Sequence, residues 1–182
     1  LWMHEPSDVA EAYASLSAEH GERFLLGIGV SHAPLIDSKE PGLYKKPLAA
    51  TRAYLDAIDA TDQPVPVANR VLAALGPKNV ELTAEIAEGW QPVFYYPEKA
   101  DDVWGESLRS GYAKRDPSLG PLDIMVSAPL AIGDNVDDRL AWVKPQLALY
   151  IGGMGARGKN FYHNLATRYG FGDIANHIQD LY

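Results

Sequence analysis

The chain contains no cysteine among its 182 residues. Disulfides and thiolate metal sites are therefore excluded, and a cytoplasmic location is the expectation compatible with that composition. Five histidines (His4, His20, His32, His163, His177) lie far apart, none with a metal-ligand spacing such as H-E-x-x-H, so no metal is expected. Long hydrophobic runs are also missing. The longest weakly polar stretch, Leu147 to Ala156, is about ten residues with three glycines, far short of the roughly twenty that span a bilayer. No membrane segment or signal peptide is expected. Positive charge is scarce as well: 16 Lys and Arg face 24 Asp and Glu, for a net charge of -8, and no basic stripe forms, which argues against nucleic acid as a partner. No Ser/His/Asp order or paired-carboxylate spacing marks a hydrolase, and no residue stands out as catalytic. The chain starts at Leu1 rather than methionine, and a missing N-terminal portion is expected.

What is present is an ordinary globular composition, 47% hydrophobic and 22% charged, enough for one good-sized core, and a single domain over 1–182 is expected. Ser7 is placed to cap a helix from about Asp8 to His20, with Gly21 as its stop. Phe24 to Val30 (FLLGIGV) reads as a strand covered on both faces, and Ser31 to Tyr44 as a long loop at its C-terminal end. A helix follows over Lys46 to Ile58. Arg70 to Glu88 reads as strand, tight turn and helix: Val71 to Leu75 is apolar, Gly76 lets the backbone turn with no Cβ in the way, and Pro77 suits the first helical position. Trp90 to Tyr96 (WQPVFYY) reads as a third strand, Ala100 to Arg115 as a helix, and Leu122 to Ile132 holds a fourth strand. Asp134 or Asn135 caps a helix from Asp137 to Tyr150 that Pro145 kinks or restarts. Gly152 to Gly155 breaks the chain, and helices over Asn160 to Tyr169 and Asp173 to Leu181 end it.

Strict alternation of strand and helix implies parallel strands with right-handed crossovers. Two architectures compete, an open doubly wound sheet of flavodoxin type and a (β/α)8 barrel. Four strands make about half of such a barrel, and a half barrel has two edges for a partner or further chain to cover.

Several residues carry candidate chemistry. Gly27-Ile28-Gly29-Val30-Ser31-His32 departs from a dinucleotide fingerprint, since His32 stands at the third glycine and no helix opens at once. His32 either touches a cofactor, moves a proton or, as a single histidine on a loop more often does, takes neither role. The helix N-terminus after Gly76 favours an anion, and Lys78 either pairs with a phosphate or is simply solvated. Glu81, Glu85 and Glu88 read as a solvated face, while Tyr95, Tyr96 and Glu98 could line a pocket mouth.

The segments GERFLLGIGVSHAP, YKKPLAATRAYLDAIDA, RVLAALGPKNVELTAEIAEGWQPVFYYPE and NFYHNLATRYGFGDIANHIQDLY resemble, in order and spacing, the C-terminal part of luciferase-like flavin and deazaflavin oxidoreductases. They look most like the actinobacterial branch that uses coenzyme F420. The resemblance implies a (β/α)8 barrel of which this chain holds roughly strands four to seven. It implies a cofactor across the strands' C-terminal ends, coenzyme F420 or alternatively FMN, and hydride transfer to or from a small organic substrate. It places Gly29, Val30, Ser31 and His32, and Ala73, Ala74, Leu75, Gly76 and Pro77, at that cofactor. FMN-dependent monooxygenation and a non-catalytic, dimerising half barrel stay open as alternatives. The expected partner is a second copy or the missing N-terminal half.

Overall fold

The structure, a computed structural model, describes residues 1–21 and 23–182; Glu22, inside the first segment quoted above, lies outside the described residues. The chain separates into two compact units, Leu1–Pro92 with Ser107–Met125, and Val93–Glu106 with Val126–Tyr182.

The first unit is built on a sheet of β1 (Leu26–Gly29), β2 (Arg70–Ala73), β3 (Gly89–Gln91) and β4 (Asp123–Ile124), all parallel and in the spatial order β1-β2-β3-β4. A flavodoxin-like sheet reverses its strand order at a switch point and covers both faces with helices. Neither holds here, so the open-sheet alternative falls and the sheet is that of a partial (β/α)8 barrel. One face is covered: Ile28, Leu72 and Trp90 are buried, the first two in a cluster with Tyr13 of α1 (Pro6–His20), Leu55 and Ile58 of α3 (Pro47–Asp59), Val65 and Ala87. The opposite face carries Gly27, Ala73, Gln91 and Asp123, all exposed. Phe24 to Val30 is thus covered on one side only, not on both as its unbroken hydrophobicity implies. On the open face, an added Cβ at Gly89 would lie 3.0 Å from Val71 Cγ2 and 3.1 Å from Met125 Cε, so the glycine lets these side chains close over it.

Other expectations shift for identifiable reasons. Helix α1 starts two residues earlier than the Ser7 cap predicts, because Pro6 occupies its first turn behind Glu5; the Ser7 hydroxyl reaches the Asp8 carboxylate instead. Its end at Gly21 (φ +67°) is as expected. The loop after β1 contains a short helix, α2 (Ala33–Lys39), started by Pro34. The WQPVFYY strand is cut to Gly89–Gln91, since Pro92 has no N–H for the ladder and Phe94 turns the chain at φ +54°. β4 shortens with it: past Met125, whose N–H donates to Trp90 C=O (2.8 Å), it has no neighbour left to pair.

Helix α4 (Pro77–Ile86) starts at Pro77 as expected. Its C-terminal carbonyls are held by Arg115, which donates to Ala84 (2.8 Å) and Ala87 (2.6 Å). Helix α5 (Ala100–Tyr112) closes on it at Gly111, where an added Cβ would sit 2.4 Å from the Glu81 carbonyl. Glu81, Glu85 and Glu88 are not a solvated face. They pair with Lys78 and Lys114, with Arg52, and with Arg115 respectively, and stay half-buried.

The second unit is helical: α6 (Val136–Leu140), α7 (Val143–Ala148), a π-helical turn (Leu149–Gly153), α8 (Phe161–Arg168) and α9 (Gly172–Leu181). Pro145 lies in the first turn of α7, restarting the helix, while Gly152 and Gly153 continue the π turn and the break follows them. Asn135 stands at the start of α6 in left-handed backbone, without a side-chain cap bond. Asn160, fully buried, ties the unit together. Its Oδ1 accepts from Tyr162 N–H (2.9 Å) and His163 N–H (3.1 Å), capping α8, and its Nδ2 donates to Tyr150 C=O (2.9 Å) and Ile151 C=O (3.0 Å). No helix among the described residues is long and apolar enough to cross a membrane.

Candidate functional site

The parallel register sets Gly29 opposite Ala73, so the two segments singled out in the sequence leave neighbouring strands at the same end of the sheet. An added Cβ on Gly29 would touch the Ala73 Cβ at 3.5 Å, ordinary contact. Beneath them, a crevice lined by Ile28, Thr51, Leu72 and Asn79 is too tight for a water molecule. The strand ends are therefore packed from below.

After β1 the backbone is pinned by two aromatic residues that sequence reasoning missed. The Trp2 indole donates to Val30 C=O (2.7 Å), and the Tyr44 hydroxyl reaches Ser31 C=O at 3.5 Å; the two rings lie 5.5 Å apart. Burial pushes the Tyr44 hydroxyl pKa up, favouring the protonated donor that this contact needs. Ser31 itself takes left-handed backbone at φ +57°. His32 occupies the N-cap position of α2, its carbonyl accepting from Leu35 and Ile36 N–H (3.2 Å each), and its half-buried ring makes no capping bond.

After β2, Ala74 is buried and its carbonyl accepts from the Trp90 indole at 3.0 Å. Trp90 was legible only as a strand hydrophobe; its role in fixing this turn depends on β3 lying beside β2. Gly76 corrects the sequence reading. It has φ -72° and ψ 144°, backbone that any residue adopts, and a Cβ added there would meet nothing within 4 Å. The chain does not need glycine here to turn. The missing side chain instead leaves open space above the start of α4, whose Asn79 and Val80 N–H groups donate to Gly76 C=O (3.0 Å each). Lys78 is drawn to Glu81 (2.7 Å), which also binds Lys114. The hydrogen bond from Lys114, then that from Lys78, holds the Glu81 carboxyl well down, at about 2.

Gly29 and Ala73 thus form a shelf of small residues above a packed base, and the chain reaches Gly76 three residues past Ala73, with Leu75 and Pro77 beside it in sequence. Its surface is backbone and small side chains, with no titratable group among these residues. Among the described residues no group of His, Asp and Glu could hold a metal ion.

The tyrosines expected at a pocket mouth belong to the second unit. Tyr95 stacks on Trp104 (5.6 Å, 9°), whereas Tyr96 lines a groove with Phe94, Tyr162, Tyr169 and Phe171; Glu98 stays exposed outside it. The Tyr169 hydroxyl donates to Phe94 C=O (2.9 Å) and accepts from Tyr96 N–H (3.2 Å). Burial pushes its pKa up to about 12. The signal available in the sequence was Tyr162, Leu165, Ala166 and Tyr169 at helical spacing, one face of α8.

Comparison with known proteins decides the family. The luciferase-like monooxygenase family matches residues 1–182, the whole chain. The chain belongs to that family. This luciferase-like chain is also 32% identical, over 209 aligned residues, to a Mycobacterium tuberculosis (strain ATCC 25618 / H37Rv) protein named "Putative coenzyme F420-dependent oxidoreductase". The match takes in 94% of this chain and 60% of that relative, so the chain spans about three fifths of the relative's length. A four-stranded luciferase-like sheet agrees with the family's barrel, of which it holds part.

Proposed function

We propose that this luciferase-like oxidoreductase uses the deazaflavin coenzyme F420, for hydride transfer to or from an organic substrate, with FMN as the alternative cofactor. The observation that carries the reading is Gly76: a residue whose backbone would accept any side chain has none, and it follows β2, whose end lies beside that of β1. The residues present fit one side of a flat ring system. Gly29, Val30, Ser31 and His32 would border it from one strand, and Ala73, Ala74, Leu75, Gly76 and Pro77 from the next. When bound, the deazaflavin supplies the two-electron carrier. The chain's own part is to hold that ring against the shelf, with Trp2 and Trp90 fixing the backbone that forms it. The name of the mycobacterial relative supports F420 over FMN. The other wall of the site would come from a second copy or from an N-terminal half, which would also cover the sheet edges at β1 and β4.

The test is to titrate the protein with F420 and with FMN, following cofactor fluorescence, and to repeat both with Gly76→Asp. F420 binding in preference to FMN, weakened at least tenfold by the substitution with unchanged thermal unfolding, is the expected result. An aspartate there places bulk and negative charge where the ring or phosphate would lie, and the open surroundings leave the fold intact. Tight FMN binding without F420 binding would turn the reading to an FMN-dependent monooxygenase. A stable dimer binding neither would turn it to the non-catalytic half barrel.

A further inference from the structure

The groove of the second unit plays no part in the cofactor reading. Its volume is about 330 Å³, within the range of roughly 300–1,000 Å³ typical of small-molecule sites. It is lined from α8 and its C-cap by Tyr162, Leu165, Ala166 and Tyr169, and from α9 by Ile174 and Ile178. Two features separate it from a merely uncovered helix face.

The first is bracing. Tyr150 and Tyr162 meet edge to face at 4.6 Å, and Phe94 meets both in the same manner at 5.5 and 5.9 Å. Such pairs hold each other in preferred geometry, so the cavity exists before anything enters it. The second is polarity. The Tyr169 hydroxyl is engaged with Phe94 C=O and Tyr96 N–H, and apart from the phenol oxygens of Tyr96 and Tyr162 the lining side chains are hydrocarbon and ring. A ligand rich in polar groups would lose hydration here without a return. A flat protein face laid across would leave the hollow empty, and water in it would find too few partners. At the rim Tyr96 and Phe171 lie 6.2 Å apart and nearly parallel, both partly exposed.

We propose that this groove is a binding site for a compact, apolar, ring-bearing ligand with at most one polar substituent. The inference is independent of the cofactor assignment, since every lining residue lies in the second unit.

Titrating the cofactor-free protein with 1-naphthol, and separately with the disulfonated naphthol of the same ring system, by calorimetry tests it. Saturable one-to-one binding of 1-naphthol is expected, with the disulfonate at least tenfold weaker. Ala166→Trp fills the groove and should weaken 1-naphthol at least tenfold. Ile174→Gln, at a side chain 61% exposed and so harmless to the fold, should weaken it several-fold, while Leu181→Gln, outside the lining, should not. The proposal is overturned if 1-naphthol does not bind, if binding survives both groove variants, or if the protein sediments as a dimer that Ile174→Gln dissociates and that excludes the probe.

Discussion

The shelf at the strand ends and the groove between α8 and α9 are made from opposite materials. The shelf consists of Gly29 and Ala73, with Gly76 three residues on in the chain, residues with almost no side chain, and its shape is that of the backbone. The groove consists of rings, and its shape is that of side chains holding one another. Backbone shape is fixed by the sheet, so the shelf should depend on what keeps β2 and β3 in place. Ring shape is fixed by local tertiary bonds, so the groove should depend on the polar ties around Asn160 and Tyr169. The two can therefore be broken separately.

The largest effect is expected at Trp90, fully buried and bonded through its indole to Ala74 C=O. Trp90→Ala removes the largest wholly buried side chain of the sheet and should cost about 3–5 kcal/mol of unfolding free energy. Trp90→Phe keeps much of the packing and loses the bond, for about 1 kcal/mol. Denaturant unfolding measures both. In Trp90→Phe, F420 affinity should fall while 1-naphthol affinity holds; a parallel fall in both would break the separation drawn above.

Next comes Asn160. Asn160→Ala leaves two N–H groups of α8 and two carbonyls of the π turn without the partner they now share. Losing the cap and stranding buried polar groups should cost about 2–3 kcal/mol. Chemical unfolding and 1-naphthol titration check it, and here the cofactor should be the ligand that is unaffected. A variant as stable as the parent would show that water replaces the amide and that the groove is less tightly held than its geometry implies.

The same contrast explains what the sequence made legible. The alternation of apolar strands with amphipathic helices was enough for a parallel sheet, and ALGPK placed the start of α4 at Pro77 because proline has one favourable position in a helix. Strand lengths were not legible: WQPVFYY has strong strand propensity throughout, yet Pro92 lacks the donor that the ladder requires. The doubly apolar reading of FLLGIGV failed because β1 turns Gly27 and Gly29 to the open face of the sheet, and glycine looks like core in a sequence whether covered or not. The groove was out of reach for another reason. Tyr169 and Phe94 are separated by 75 positions, and no local periodicity reports such a pair. Gly76 was noticed, though for the wrong cause: a sharp turn was taken to need a residue without Cβ, and the backbone at φ -72° and ψ 144° does not.

That cause gives the smallest and most discriminating prediction, Gly76→Ala. Two opposed terms act on stability. At φ -72° the substitution restricts the unfolded chain more than the folded one, a gain of about 0.4–1 kcal/mol. Alanine is a poorer N-cap than glycine, a loss of roughly 0.5 kcal/mol. With no atom within 4 Å of the new methyl there is no steric term, so unfolding free energy should change by no more than about 0.5 kcal/mol. Cofactor affinity should nonetheless drop several-fold, because the methyl occupies the space a ring would use, and fluorescence titration of F420 reads that drop. A residue needed only for folding would show the reverse, lost stability and intact affinity. Unchanged stability together with unchanged affinity would make the turn a connection and nothing more, and would leave the groove as the better supported of the two sites.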